Sequence, residues 1–201
     1  ATFRSKYLIY HTVKPIKSKP LFCTEAIVVG YAGRLVPEKG IFDLLNAAQR
    51  NPHLEFHFAG WGKLQHEIVN SNLLNVYFHG TLHGKKLYEF YSACDCITQL
   101  SVVRRNSTTE WQDVFGLSVA EAVCFGCTPF ISNLPAPSKV FKRLTPQTLK
   151  LAPIEQNRIN PREIDVVLNG LRKKEHTFEV PELISNEYNQ VLWKNLILSE
   201  S

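Results

Sequence analysis

A doubly wound α/β fold, its parallel sheet covered by helices on both faces, is the architecture this sequence predicts. Three observations carry that expectation. From Ala26 onward, short apolar runs alternate five times with amphipathic stretches, the signature of strand–helix repeats. The apolar runs are strand-length, and the amphipathic stretches repeat their apolar residues at helical spacing. A chain of 201 residues with 44% hydrophobic content can bury one substantial core.

The elements follow in order. Ala26 to Ala32 reads as a buried strand, and Gly40 opens a helix in which Ile41, Leu44, Leu45 and Ala48 share a face. His53 to Ala59 is a second strand, Lys63 to Asn70 a second helix and Asn75 to Phe78 a third strand. Gly84 to Ser92 gives a helix, Asp95 to Leu100 a strand, Leu117 to Phe125 a helix and Thr128 to Ile131 a fifth strand. Right-handed crossovers make such a repeat a Rossmann-like sheet, whose ligands bind at the carboxyl ends of the strands. The loops after Ala32, Ala59, Phe78, Leu100 and Ile131 are therefore the ones to inspect. Beyond them come an amphipathic helix near Glu163 to Leu171 and a terminal helix near Pro181 to Leu198. The expected division is residues 1–25 as a linker and the remnant of a preceding domain, with a short strand at Tyr7 to Tyr10. Residues 26–175 form the Rossmann-like domain and 176–201 carry the C-terminal helix.

Composition narrows the function classes. Charged residues make up 20% of the chain with both signs dispersed, so the whole chain is expected to fold. A net charge of +5 is compatible with anionic partners without choosing among them. Basic residues are not interleaved with aromatics as in nucleic-acid modules, so no nucleic acid is expected. The apolar runs are too short to span a bilayer and no signal peptide opens the chain, which together with an odd count of five scattered cysteines points to a reducing, cytoplasmic setting. Cys94, Cys96, Cys124 and Cys127 can be drawn as four zinc ligands or as core thiols, and the flanking aliphatic residues favour the core. The chain has no methionine, in keeping with a piece of a longer protein.

Two segments carry chemistry. Gly33-Arg34-Leu35-Val36-Pro37-Glu38-Lys39-Gly40 joins the first strand to its helix. Its glycines let backbone amides approach an anion, and Arg34 and Lys39 suit a diphosphate. An ordinary solvated polar loop is the alternative. Asp113-Val-Phe-Gly-Leu-Ser-Val-Ala-Glu121 places two carboxylates eight positions apart around a turn into a helix. Gly116 permits close approach there, and the first helical amides face outward. Glu121 either meets ribose hydroxyls or closes a capping box with Ser118. Gly60-Trp61-Gly62 adds a glycine turn at the same sheet edge.

These residues, with Phe78-His79-Gly80 and Tyr91…Cys94-Asp95, resemble glycosyltransferase family 4 in order and spacing over roughly Ala26 to Asn133. The resemblance implies the C-terminal, nucleotide-sugar-binding half of a retaining enzyme of the GT-B fold. It implies that Gly33, Arg34 and Lys39 hold the donor diphosphate and that Glu121 holds the ribose. Asp113 with the backbone of Phe115, Gly116, Leu117 and Ser118 then meets the transferred sugar, while Gly60, Thr81 and Leu82 lie at the donor, the latter two in a base-contacting loop. Of these, Asp113, Arg34, Lys39 and Glu121 are the expected catalytic residues. No bound metal or cofactor is implied, since the nucleoside-diphosphate sugar is a substrate. Electrostatic stabilisation of the departing diphosphate would supply much of the catalysis. The acceptor would be a glycan or lipid-linked and would bind an N-terminal domain absent from this chain, so the chain alone is expected to be inactive. Peripheral association of the full-length protein with a membrane is compatible with such an acceptor. A non-catalytic nucleotide-sugar module and a sugar-nucleotide epimerase of the same fold remain alternatives.

Three features depart from the family pattern. Asp113 stands where the family has Glu, one methylene shorter. Asn133-Leu134-Pro135-Ala136-Pro137 replaces a glycine-rich turn, and Val102 to Trp111, with Arg104, Arg105 and Glu110, resembles an insertion placed for donor or acceptor selectivity.

Overall fold

The structure is a computed structural model that describes residues 19–105, 110–111, 116–144, 147–155 and 158–174. The expected strand Tyr7 to Tyr10, the terminal helix Pro181 to Leu198, and Asp113 and Phe115 lie outside the described residues.

Strands and helices alternate along the chain: β1 (Ile27–Arg34), α1 (Ile41–Arg50), β2 (Leu54–Trp61), α2 (Gln65–Val69), β3 (Val76–Phe78), α3 (Gly84–Ala93) and β4 (Cys96–Gln99). A two-residue ladder follows, β5 (Arg104–Arg105) with β6 (Glu110–Trp111). Then come α4 (Leu117–Val123), β7 (Thr128–Ser132), α5 (Pro135–Leu144), β8 (Lys150–Ala152), a second small ladder of β9 (Ile154–Glu155) and β10 (Arg158–Ile159), and α6 (Pro161–Asn169). Six strands form one sheet in the order β3-β2-β1-β4-β7-β8. Every pair in it is parallel. Passing over the small ladders, this is the strand order of a Rossmann sheet, with the reversal of direction between β1 and β4.

Both faces are covered, as a parallel sheet requires. On β1, Val28 and Ala32 face a core that includes Phe90 and Tyr91 of α3, Val119 and Val123 of α4 and Phe141 of α5. Val29 and Tyr31 face the other core, with Leu44 and Ala48 of α1, Ile68 of α2 and Leu168 of α6. The alternation along one strand thus feeds two layers.

The edge is fastened by polar staples. The Asn75 amide reaches the carbonyls of Ala48 (3.0 Å), Asn51 (3.2 Å) and Leu54 (2.9 Å), tying the α1–β2 turn to the start of β3. Arg50 forms a two-pronged pair with Asp165 (2.7 and 3.0 Å), which holds α6 against α1 and keeps the Asp165 carboxyl below its usual range.

Several boundaries differ from the sequence expectation. The first two strands run on past Ala32 and Ala59 to Arg34 and Trp61, because Gly33 pairs with Gly60 and Arg34 with Trp61 in unbroken register. Pro135 and Pro137 do not break the chain but begin α5, where missing N–H groups cost nothing. A sixth strand, β8, extends the sheet beyond the five expected.

Candidate functional site

At the carboxyl edge of β1 and β2 lies a cleft of about 340 Å³, lined also by α3, α4 and the loop after β3. Ala32 and Ala59 line its floor, and Leu82, Leu87 and Leu117 are apolar groups along its walls. Arg34, Ser118 and Glu121 bring polar groups into it, and Trp61, 62% exposed, stands at its rim.

Of the residues singled out from the sequence, Gly33, Arg34, Gly60, Thr81, Leu82, Leu117, Ser118 and Glu121 all line this one cleft. They come from four separate segments, which the fold brings to a common edge. Lys39 sits half-buried in a single 3-10 turn, Pro37–Lys39, and Gly116 caps α4; neither is among the lining residues.

The Arg34 backbone is held from several sides. The Tyr31 hydroxyl donates to the Arg34 carbonyl (2.6 Å), and the next residue, Leu35, donates its N–H to the Trp61 carbonyl (2.7 Å). Gly60 makes the tight β1–β2 edge possible: at its φ of +142°, a Cβ would collide with the Gly33 carbonyl oxygen. The exposed Arg34 side chain therefore springs from a fixed base on the cleft side of the sheet.

Glu121 is placed by helix α4. Gly116, in the left-handed region (φ 77°, ψ 54°), precedes the helix, and the first backbone bonds run from Val119 and Ala120 to its carbonyl (both 3.0 Å). Ser118 consequently lies inside the helix rather than at its cap, so the Ser118–Glu121 capping box does not form. Glu121 instead points toward α3, where the Tyr91 hydroxyl donates to Glu121 Oε2 at 3.1 Å. Burial raises the Glu121 carboxyl above its ordinary range, and the Tyr91 hydrogen bond partly offsets it. Burial and the adjacent carboxylate push the Tyr91 phenol well above its usual value of 10, so it remains a donor. Tyr91, Leu87 and His83 line the cleft without having been singled out as site residues. Only the occurrence of Tyr91 in the family pattern hinted at it.

Two other motif residues serve the scaffold. Asp95, 3% exposed, accepts from the Val28 N–H (2.8 Å) and the Lys174 N–H (2.9 Å) and pairs with Lys173 (3.3 Å). It ties β1 to the segment after α6. His79 meets His57 ring to ring (Nε2 to Nδ1, 2.9 Å), His57 reaches Glu55 (3.2 Å), and Thr24 donates to Glu55 (2.8 Å). The thiols of Cys94, Cys96, Cys124 and Cys127 are buried, and burial raises each of them, Cys124 and Cys127 to about 12. Cys127 donates to the carbonyls of Tyr91 and Cys94 (3.1 and 3.2 Å), as a core thiol does.

A second cleft of similar size, about 350 Å³, opens at the amino ends of β7 and β8 beside Lys150, Arg172, Lys173 and Lys174. Lys174 spends its ammonium on the carbonyls of Tyr91 and Phe125 (3.0 and 3.1 Å) and Lys173 on Asp95. Ligands of open α/β sheets sit at the carboxyl ends, which favours the first cleft.

The profile of the family described as "Glycosyl transferases group 1" matches residues 13–157, well over half of the chain. No curated protein matches it in sequence. Among solved structures, the GtfA/B complex superposes with a TM-score of 0.72 at 17% identity, over 94% of this chain and 39% of that one. AviGT4, a glycosyltransferase involved in avilamycin A biosynthesis, gives 0.66 at 15% identity, over 96% and 56%. The pneumococcal O-GlcNAc transferase GtfA, solved in complex with UDP and GlcNAc, gives 0.63 at 17% identity, over 95% and 38%. At these identities the likeness is one of fold, and the chain spans from about two fifths to little more than half of each neighbour's length.

Proposed function

The chain belongs to the glycosyl transferases of group 1, and from that premise we propose that it is the donor-binding half of a retaining, family 4 hexosyltransferase of the GT-B type. Its substrate is a nucleoside-diphosphate sugar, and the hexose passes to a glycan or lipid-linked acceptor held by an N-terminal domain. The full-length protein works in the cytoplasm, at a membrane surface when its acceptor is there. The observation that carries this reading is the convergence of Arg34, Ser118 and Glu121 on one cleft at the carboxyl edge of the sheet.

Each group has a chemical part. Glu121 accepts hydrogen bonds from the ribose hydroxyls, which would satisfy a half-buried carboxylate that the apolar walls otherwise penalise. Arg34 offers a two-pronged donor to the diphosphate, and Lys39 a point charge from one turn further along the loop. Thr81 and Leu82 meet the base. Asp113, with the backbone of Phe115 to Ser118, meets the sugar, a part that follows from the resemblance in sequence. As the bond from the anomeric carbon to the diphosphate breaks, charge gathers on the leaving group, and Arg34 and Lys39 stabilise it. A solved neighbour of the same fold is recorded with UDP and GlcNAc, which supports a nucleotide ligand of this kind.

Calorimetry with uridine diphosphate, in the presence and absence of a chelator, tests the reading. The expected result is saturable binding that survives the chelator, because cationic side chains offset the diphosphate charge. Absence of binding to uridine, guanosine and adenosine diphosphates alike would overturn the donor-site reading, and binding abolished by the chelator would overturn its metal-free form.

A further inference from the structure

We infer that Tyr91 is a positioning residue of the nucleotide site: from α3 its hydroxyl holds the Glu121 carboxylate in the orientation that accepts the donor's ribose. The inference rests on the donor-site reading of the cleft and assigns to it a residue that touches the ligand only through Glu121.

The geometry is specific. Tyr91 is fully buried and lies in the last turn of α3, while Glu121 lies in the second turn of α4. The Tyr91 hydroxyl donates to Glu121 Oε2 at 3.1 Å, and both side chains line the cleft. A carboxylate has two oxygens with about four acceptor sites. One donor on Oε2 leaves Oε1 and the remaining lone pair of Oε2 for a vicinal diol, whose two hydroxyls need two acceptors at fixed separation. Without an anchor, Glu121 would select among rotamers and lose entropy on binding.

The anchor is itself anchored. The Tyr91 carbonyl accepts from the Lys174 ammonium (3.0 Å) and from the Cys127 thiol (3.1 Å), so α3 is fixed at the turn that carries the phenol. The phenol also has an electrostatic effect, because a hydrogen bond to the charged form favours ionised Glu121 against the cost of burial. The groups facing the pair are the thiols of Cys94, Cys124 and Cys127, all shifted upward and therefore neutral near pH 7, and, from the other cleft walls, Arg34 and His83.

Tyr91→Phe removes one hydroxyl and keeps the buried ring. The test titrates wild type, Tyr91→Phe and Glu121→Gln with uridine diphosphate, its 2′,3′-dideoxy analogue and pyrophosphate from pH 5 to 8. The expected result is that wild type prefers the ribonucleotide over the dideoxy analogue and that Tyr91→Phe lowers that preference by about threefold to tenfold. Pyrophosphate affinity should stay unchanged. In Tyr91→Phe the ribonucleotide preference should also begin to fail at a higher pH than in wild type, since Glu121 has lost a donor that favours its charge. Taking the ratio of the two nucleotides cancels the titration of the diphosphate. If Glu121→Gln abolishes the preference while Tyr91→Phe keeps it with an unmoved pH profile, the positioning role is wrong and the ribose site stands. If wild type shows no ribose preference, the ribose reading of Glu121 fails and this inference with it. A Tyr91→Phe variant that loses all three ligands equally points to a structural role and overturns the inference.

Discussion

Arg34 and Glu121 lie far apart in the chain, yet β1 and α4 bring both to the lining of one cleft, and each answers a different part of a nucleotide. If Arg34 meets the diphosphate, Arg34→Ala removes a charge-assisted contact of about 1.5–3 kcal/mol. Affinity for uridine diphosphate should then fall at least about tenfold, one decade being about 1.4 kcal/mol. Unfolding should shift little, because exposed substitutions usually stay within about 0.5 kcal/mol. Lys39→Ala should cost less affinity than Arg34→Ala, since Lys39 stands outside the cleft lining. Titration of both variants decides this, and unchanged affinity in Arg34→Ala would remove the diphosphate from this loop. Most lining residues were legible because glycine turns, cations and a carboxylate recur in family order. The partner of Glu121 was not. Within the sequence Ser118 is three positions away and imitates a capping box, whereas Tyr91 is thirty positions away and becomes a neighbour only when α3 packs beside α4.

Among the elements, the edge of β2 and β3 carries a pH-sensitive contact. His57, 3% exposed, stacks between Phe22 (centroids 4.0 Å) and Tyr77 (4.5 Å) and bonds to His79 and Glu55. Burial is the largest cause that depresses its proton affinity, to a pKa of about 4; the hydrogen bond that its ring donates to Glu55 opposes this, and the neighbouring His79, itself lowered by burial, adds to it. An unfolded histidine takes up its proton near pH 6.5, so between 6.5 and 4 the unfolded chain binds more protons than the fold. The contribution is therefore fully present above about pH 6.5 and is lost as pH falls toward 4, by an amount on the order of 3 kcal/mol. Denaturant titrations at pH 7.5, 6 and 5 should show stability declining over that window, and His57→Phe should flatten the decline. A wild-type stability that is level from pH 7.5 to 5 would contradict the assignment. Element by element, β1 to β4 with their helices, and α4, were readable because their apolar runs are concentrated or periodic, whereas the two-residue β5 and β6 were not. Helix α5 was not, since Pro135 and Pro137 imitate a turn although the first helical turn tolerates both. Strand β8 was missed because Lys150-Leu151-Ala152 offers one large apolar residue, whereas the equally short β3 is Val-Tyr-Phe.

For the molecule as a whole, the order β3-β2-β1-β4-β7-β8 sets its one reversal between β1 and β4, and the cleft that gathers the expected residues opens beside that reversal, at the carboxyl ends of β1 and β2. The alternation of strands and helices made this architecture readable in advance. Right-handed crossovers with helices on both faces require a reversal in the strand order but do not fix its place, and the covering of both faces follows from the alternation on β1. No helix among the described residues is long and apolar enough to cross a membrane. In the proposed function the cleft at the carboxyl edge, rather than the basic cleft at the amino ends of β7 and β8, receives a nucleoside diphosphate. Backbone amide shifts recorded during titration with uridine diphosphate test it most directly. The largest changes should fall on Gly33, Arg34, Gly60, Thr81, Ser118 and Glu121, with little change at Thr128, Lys150 and Arg172. Changes concentrated at Lys150 and Arg172, with the carboxyl edge unmoved, would contradict it.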